Sequence, residues 1–269
     1  MLRSMNDLEG YAIGATDGPV GHVKDFYFDD QAWVVRYLVV ETGAWLNSRK
    51  VLISPYSIGV PDWAERLLPV KITKEQVRLS PDIDTDKPVS RQHEIEYLGY
   101  YGYPYYWGGS ALWGDELYPS VWPVGALGLG SPYDSRSDEQ TAFGRAEAER
   151  HSYDDPHLRS CKAVTGYHIV AIDGEIGHVH GLLVDERTWA IRYLVVNTSN
   201  WWVGHQVLIS PQWIAGVSWS DATVTVDLTR EAVRDAPPYD ELSKLDRNQE
   251  IGIYRHYGRP GYWGGELGE

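Results

Sequence analysis

Residues 34–40, VVRYLVV, are apolar at every position but Arg36 and rich in β-branched side chains, the mark of a strand facing a core. A second apolar run precedes it and ends in Phe26, Tyr27 and Phe28. The four residues Asp29-Asp30-Gln31-Ala32 between the two runs predict a hairpin connection. Asp17-Gly18 marks an earlier turn, with Gly21 just beyond it. Val51 to Pro55 predicts a short strand that proline ends, and Arg66 to Ile72 a last one. Thr73-Lys74-Glu75-Gln76-Val77 then reads as one or two helical turns with threonine as the N-cap. Several short strands with regular turns predict a small closed or nearly closed barrel.

The whole pattern occurs twice. Residues 8–109 align with residues 164–265 at a constant offset of 156, without a gap, with 42 identities in 102 pairs. A period this long is a duplicated domain and not a solenoid repeat. Substitutions between the copies are conservative where a core is expected: Phe26, Tyr27 and Phe28 become Leu182, Leu183 and Val184. The expected fold class is therefore all-β, two small barrels in tandem, each followed by a short helical and aromatic tail. The expected domains are residues 1–104, a linker over 105–160, and residues 161–269. The linker is rich in Gly, Pro, Trp and Tyr over 105–135 and polar over 136–160, with a short helix expected around Glu139 to Arg150.

Asp-Gly-x-[Val/Ile]-Gly-His-Val, an apolar strand, Trp-x-[Val/Ile]-Arg-Tyr-Leu-Val-Val and then Val-Leu-Ile-Ser-Pro stand in this order in both copies. The set resembles the PRC-barrel domain, a family that includes the H subunit of the bacterial photosynthetic reaction centre, the C-terminal domain of the ribosome maturation factor RimM, and stand-alone bacterial proteins. The resemblance implies a barrel, and the family is defined by that barrel and not by a catalytic motif. The membrane helix of the H subunit and the N-terminal domain of RimM have no counterpart here, so the tandem layout is more similar to the stand-alone type.

Composition narrows the partners. Formal net charge is −14, spread as −4 over residues 1–109, −4 over 110–163 and −6 over 164–269. With no basic patch to offset it, this charge argues against nucleic acid. The single Cys161 rules out an internal disulfide and favours a reducing cytoplasm. The uncharged stretch Leu117 to Tyr133 holds three prolines and three glycines, and no membrane span is expected.

Candidate chemistry is sparse. His22 and His178 follow the turn glycines and read as half-buried histidines bonded to backbone. His178 and His180 share a strand face, but Lys24 stands at the position of His180 in the first copy and no third ligand is near, so no metal and no cofactor are expected. Ser54 and Ser210 precede proline in a turn, and Cys161 has no acid or histidine beside it. Asp29, Asp30, Asp185 and Glu186 read as solvated acids at hairpin tips. Arg36 and Arg192 are expected in salt bridges on the outer barrel face. The unusual feature is aromatic: seven of the eleven residues 97–107 are Trp or Tyr, and both copies end in Tyr-Trp-Gly-Gly. Tyr101, Tyr106 and Trp107, with Tyr257, Tyr262 and Trp263 at the equivalent positions, are the candidates for partner binding or docking. The expected function is a non-catalytic protein-interaction module, an accessory or stress-related adaptor with a protein partner and the option of self-association. The alternatives are an accessory of a photosynthetic or electron-transfer complex and, more remotely, a metal-dependent enzyme.

Overall fold

The computed structural model describes residues 1–81, 89–120, 157–198, 206–241 and 244–264. In chain order, the first half contains β1 (Leu2–Ser4), α1 (Met5–Leu8), β2 (Ala12–Ala15), β3 (Gly18–Asp29), β4 (Val34–Thr42), β5 (Lys50–Ile53), β6 (Leu67–Pro69), α2 (Lys74–Leu79) and α3 (Arg91–Tyr101). The second half contains β7 (Leu158–Ser160), α4 (Cys161–Val164), β8 (His168–Ala171), β9 (Gly174–Asp185), β10 (Ile191–Asn197), β11 (Gln206–Ile209), β12 (Ile214–Ser218), β13 (Thr223–Val226), α5 (Arg230–Arg234) and α6 (Arg247–His256). No described helix is long and apolar enough to cross a membrane.

The chain divides into two compact units that do not follow the expected boundaries. One consists of residues 8–160 with 187–190, the other of residues 1–7, 161–186 and 191–269. In the first, the sheet runs β5-β4-β3-β2-β6, antiparallel except for the β2–β6 pair, and β7 adds to the far end of β3. In the second, it runs β11-β10-β9-β8-β13-β12, with a parallel β8–β13 pair, and β1 adds to β9. The strand that completes each sheet thus precedes, in sequence, the repeat that builds the other. Residues 2–4 and 158–160 are the same tripeptide, Leu-Arg-Ser, so the internal similarity starts earlier than residue 8.

The expected barrel closure is corrected: among the described residues neither sheet pairs its two edges. Proline explains where the ladders stop. Pro55 and Pro211 open 3-10 turns directly after β5 and β11, capped by Ser54 and Ser210, and Pro69 ends β6. Turn chemistry follows expectation elsewhere. Gly18 and Gly174 take positive φ in the Asp-Gly turns. The Asp17 and Asp173 carboxylates accept from the first amides of α2 and α5, and Thr73 and Thr229 cap the same helices.

Strand β4 is buried on both faces along residues 34–40, Arg36 included. One face lines the sheet core with Phe26, Phe28 and Ile53; the other is covered by α3, whose Tyr97 hydroxyl donates to the Leu52 carbonyl at 3.0 Å. Helix α3 is capped by Ser90 and ends at Gly102 in the left-handed region, so residues 97–101 of the aromatic tail are helical. Residues 105–120 of the expected linker also pack on this unit, with Trp113 only 2% exposed. The helix expected around Glu139 to Arg150 lies outside the described residues.

Close backbone approach sets a stringent requirement at one glycine in each copy. A Cβ on Gly21 would lie 2.0 Å from the Glu41 carbonyl oxygen, and one on Gly177 2.1 Å from that of Asn197. Gly21→Ala is expected to cost about 1–3 kcal/mol or more, read as a lower urea midpoint at unchanged slope. Gly99→Ala, in α3 with nothing within 4 Å of its Cβ, is expected to gain about 0.5–1 kcal/mol. Each unit also contains residues from both halves of the chain. Cleavage within 121–156 is therefore expected to leave both fragments in one species on native size exclusion, whereas release of two separate folded halves would contradict this strand assignment.

Candidate functional site

Helix α3 carries Glu94 on its inner face, and the carboxylate is fully buried. A buried carboxylate is tolerated only with donors around it. Tyr37 from β4 donates to it at 3.2 Å, and the Tyr106 hydroxyl makes a very short hydrogen bond to it. Arg91, one turn earlier on α3, lies at 3.2 Å, and His157 Nε2 at 3.1 Å. The Tyr106 ring is sandwiched between cations, with the Arg36 guanidinium 3.8 Å and that of Arg91 5.4 Å from its centroid. Arg91 also caps the Trp107 ring at 4.2 Å, and Trp107 stacks on Tyr105 at 4.7 Å.

The second unit repeats the constellation at the same offset. Glu250 accepts from the Tyr193 hydroxyl at 3.0 Å and the Tyr262 hydroxyl at 2.7 Å, with Arg247 at 3.1 Å. Arg192 lies over Tyr262 at 4.1 Å and Arg247 over Trp263 at 4.5 Å. Burial and then the neighbouring carboxylate push the Tyr37 and Tyr193 phenols well above the usual range. Tyr106 is raised for the same reasons, so all three stay protonated donors at neutral pH.

The six aromatic candidates all lie against their own units. Tyr106 is buried, and Tyr101 is half-buried, stacked on Tyr103 at 5.3 Å. Trp107 is half-buried, and its indole N–H is enclosed without a hydrogen-bond partner. Tyr257 sits 4.7 Å from Trp213, and Tyr262 and Trp263 are half-buried near Tyr254. Among the half-buried rings, Tyr105 and Trp107 in the first unit and Tyr262 and Trp263 in the second border the cluster.

Two other expectations are corrected. Arg36 is not on a solvated face: it is 2% exposed, pairs with Asp29 at 3.1 Å and donates to the Leu112 carbonyl at 2.6 Å. The acids of the first hairpin are not free at its tip either: Asp29 is buried against Arg36, and Asp30 pairs with Arg159 at 2.8 Å. Glu186, at the matching position, pairs with Arg3 at 2.9 Å. The cause in each case is a segment remote in sequence that covers the strand. His22 is exposed, His178 is half-buried, and His180 pairs with Glu241 at 3.1 Å. Among the described residues no group of three or more His, Cys, Asp or Glu side chains could hold a metal ion.

The residues that sequence reasoning missed are Glu94, Arg91, Glu250 and Arg247. A signal for them exists: Arg-x-x-Glu is identical in the two copies at positions whose helical neighbours Gln92, His93 and Glu96 have changed to Asn248, Gln249 and Gly252.

Removing one partner of the buried ion pair strands the other, so Asp29→Ala is expected to cost about 3–5 kcal/mol, measured by chemical denaturation. Burial raises the Asp29 carboxyl, but Arg36, the Gln31 amide and His157 together outweigh it and hold the carboxyl below its ordinary value. A carboxyl lowered on folding contributes stability above its unfolded pKa of about 3.9, and loses it as pH falls through the lower folded value. The acid limb of the stability profile below about pH 4 is expected to flatten in Asp29→Asn.

A search among curated proteins returns no match. With the strand order, the Asp-Gly turn and the capped helix α2 in place, residues 3–77 match the family model of the PRC-barrel domain, and that stretch of the chain is a PRC-barrel domain.

Proposed function

We propose that the chain is a non-catalytic protein-interaction module in which residues 164–236 form a second copy of the same domain. The second copy is supported by the 42 identities and by a matching strand order about a parallel pair. The observation that carries the interaction reading is the buried ionisable cluster. In both units its acid, phenols and arginine use one another as partners, so the cluster holds structure together. Beside it lie half-buried aromatic rings: Trp107 under Arg91 with Tyr105 stacked on it, and Trp263 under Arg247. Half-exposed Trp and Tyr flanked by Arg is the composition of interface hot spots. An accessory or adaptor role follows from a surface that binds without reacting.

The test is quantitative capture of partners from the native host by the full chain and by Tyr105→Ala and Trp107→Ala. A defined partner set is expected to fall about tenfold or more in both variants, the loss that one hot-spot ring implies, while Tyr105→Ala keeps its thermal midpoint. Unchanged capture by both variants contradicts the reading.

A further inference from the structure

The two completing strands are one device used twice. Leu2, Arg3 and Ser4 stand opposite Asp185, Val184 and Leu183; Leu158, Arg159 and Ser160 stand opposite Asp29, Phe28 and Tyr27. These are the same positions of the repeat, in the same antiparallel register. The flanking backbone bonds also correspond: the Glu186 amide donates to the Met1 carbonyl at 3.0 Å, and the Asp30 amide to the His157 carbonyl at 2.9 Å. Each donor arginine meets an acid just past the end of the acceptor strand, Arg3 with Glu186 at 2.9 Å and Arg159 with Asp30 at 2.8 Å. After each strand comes a four-residue helix that begins with a buried side chain, Met5 or Cys161.

The donor segments are not equivalent in every detail. Ser160 also bonds Asp25 at 2.5 Å, whereas the second unit has Gly181 at that position, where a Cβ would lie 3.1 Å from the Asn6 amide. Residues 1–7 therefore fit the β9 sheet and not merely any sheet of this type. They leave that unit between Asp7 and Leu8, where the chain resumes in the other unit. A short segment that completes a sheet and then leaves it is the element that exchanges between copies of a protein, because every contact it makes is identical whichever copy supplies it.

We propose that β1 is an exchangeable donor strand and that the chain assembles with a second copy of itself, residues 1–7 of each copy completing the β9 sheet of the other. The ladder, the Arg3–Glu186 pair and the seat of Asn6 on Gly181 are all preserved in the exchanged form, so protein concentration and the opening of a three-residue strand control the balance. The exchange is driven by neither an exposed apolar face nor a new contact.

A charge-reversal pair tests this on the full chain. In Arg3→Glu two acids face each other, and in Glu186→Arg two arginines do, in the monomer and in any dimer of one variant alone. In an exchanged dimer of the two variants together, one site pairs Glu at position 3 with Arg at position 186, and the other keeps the native Arg3–Glu186 pair. The variants, carrying different affinity tags, are mixed, warmed to just below the unfolding transition and cooled. A species of twice the monomer mass holding both tags is expected, at several times the yield of same-tag dimers. As a measure independent of the substitutions, wild-type chains with two different tags are treated alike at high concentration and are expected to form a mixed-tag dimer that deletion of residues 1–7 abolishes. If the variant mixture stays monomeric with its tags separate, or if wild-type mixed-tag dimers survive the deletion, the proposal fails.

Discussion

A carboxylate held out of water is the constraint on which each unit is arranged. A buried carboxyl such as Glu94 needs hydrogen-bonding partners around it, and besides His157 these come from three separate segments. Tyr37 lies on β4, Arg91 on α3 itself, and Tyr106 on the chain beyond α3. Meeting the needs of one side chain therefore fixes the helix over the sheet and folds the aromatic segment back on the helix. Burial of Arg36 follows. Once Tyr106 and Trp113 cover β4, its buried arginine lies against their rings at 3.8 and 4.8 Å and takes Asp29 as its counter-ion.

That arrangement explains which parts of the fold were legible in the sequence. Strands, turns and caps are local: the β-branched run at 34–40, Asp17-Gly18, Ser54-Pro55 and Thr73 each specify their conformation within a few residues. The repeat was legible because identity at a fixed offset needs no structure. Arg36 was misread because alternation along a strand assigns polar residues to the solvent side. That rule fails when a helix and loop from about fifty or more positions away bury the second face. The aromatic tails were singled out as candidates for partner binding or docking, and their density reflects an internal cluster as much as a surface. The completing strands lay beyond reach of local reasoning: Leu-Arg-Ser is too short to predict as a strand, and its partners lie about 130 or 180 residues away in sequence.

The copies share a cluster but not its environment. The Arg91 side chain is 16% exposed and that of Arg247 49%, although both hold the glutamate three residues on. In the first unit Trp113, at 2% exposure, and His157, 3.1 Å from Glu94, close over the cluster, whereas the second unit has Met1 at the position of His157. In the drier cluster each hydrogen bond is stronger and each lost partner more costly. The same constellation is thus a rigid core element in the first unit and a more solvated one in the second.

On the interaction reading proposed above, this asymmetry bears on which copy would face a partner. A rim ring contributes most to binding when its neighbours are already fixed, because little freedom is lost on contact. Trp107 meets that condition: Arg91 lies over one part of it, Tyr105 stacks at 4.7 Å, and Tyr106 packs edge-on at 4.9 Å. At the position of Tyr105 the second copy has Gly261, and the arginine over Trp263 is half in water. Duplication followed by loss of constraint in one copy would produce this pattern, with the first unit keeping the preorganised aromatic surface and the second supplying the sheet that receives β1.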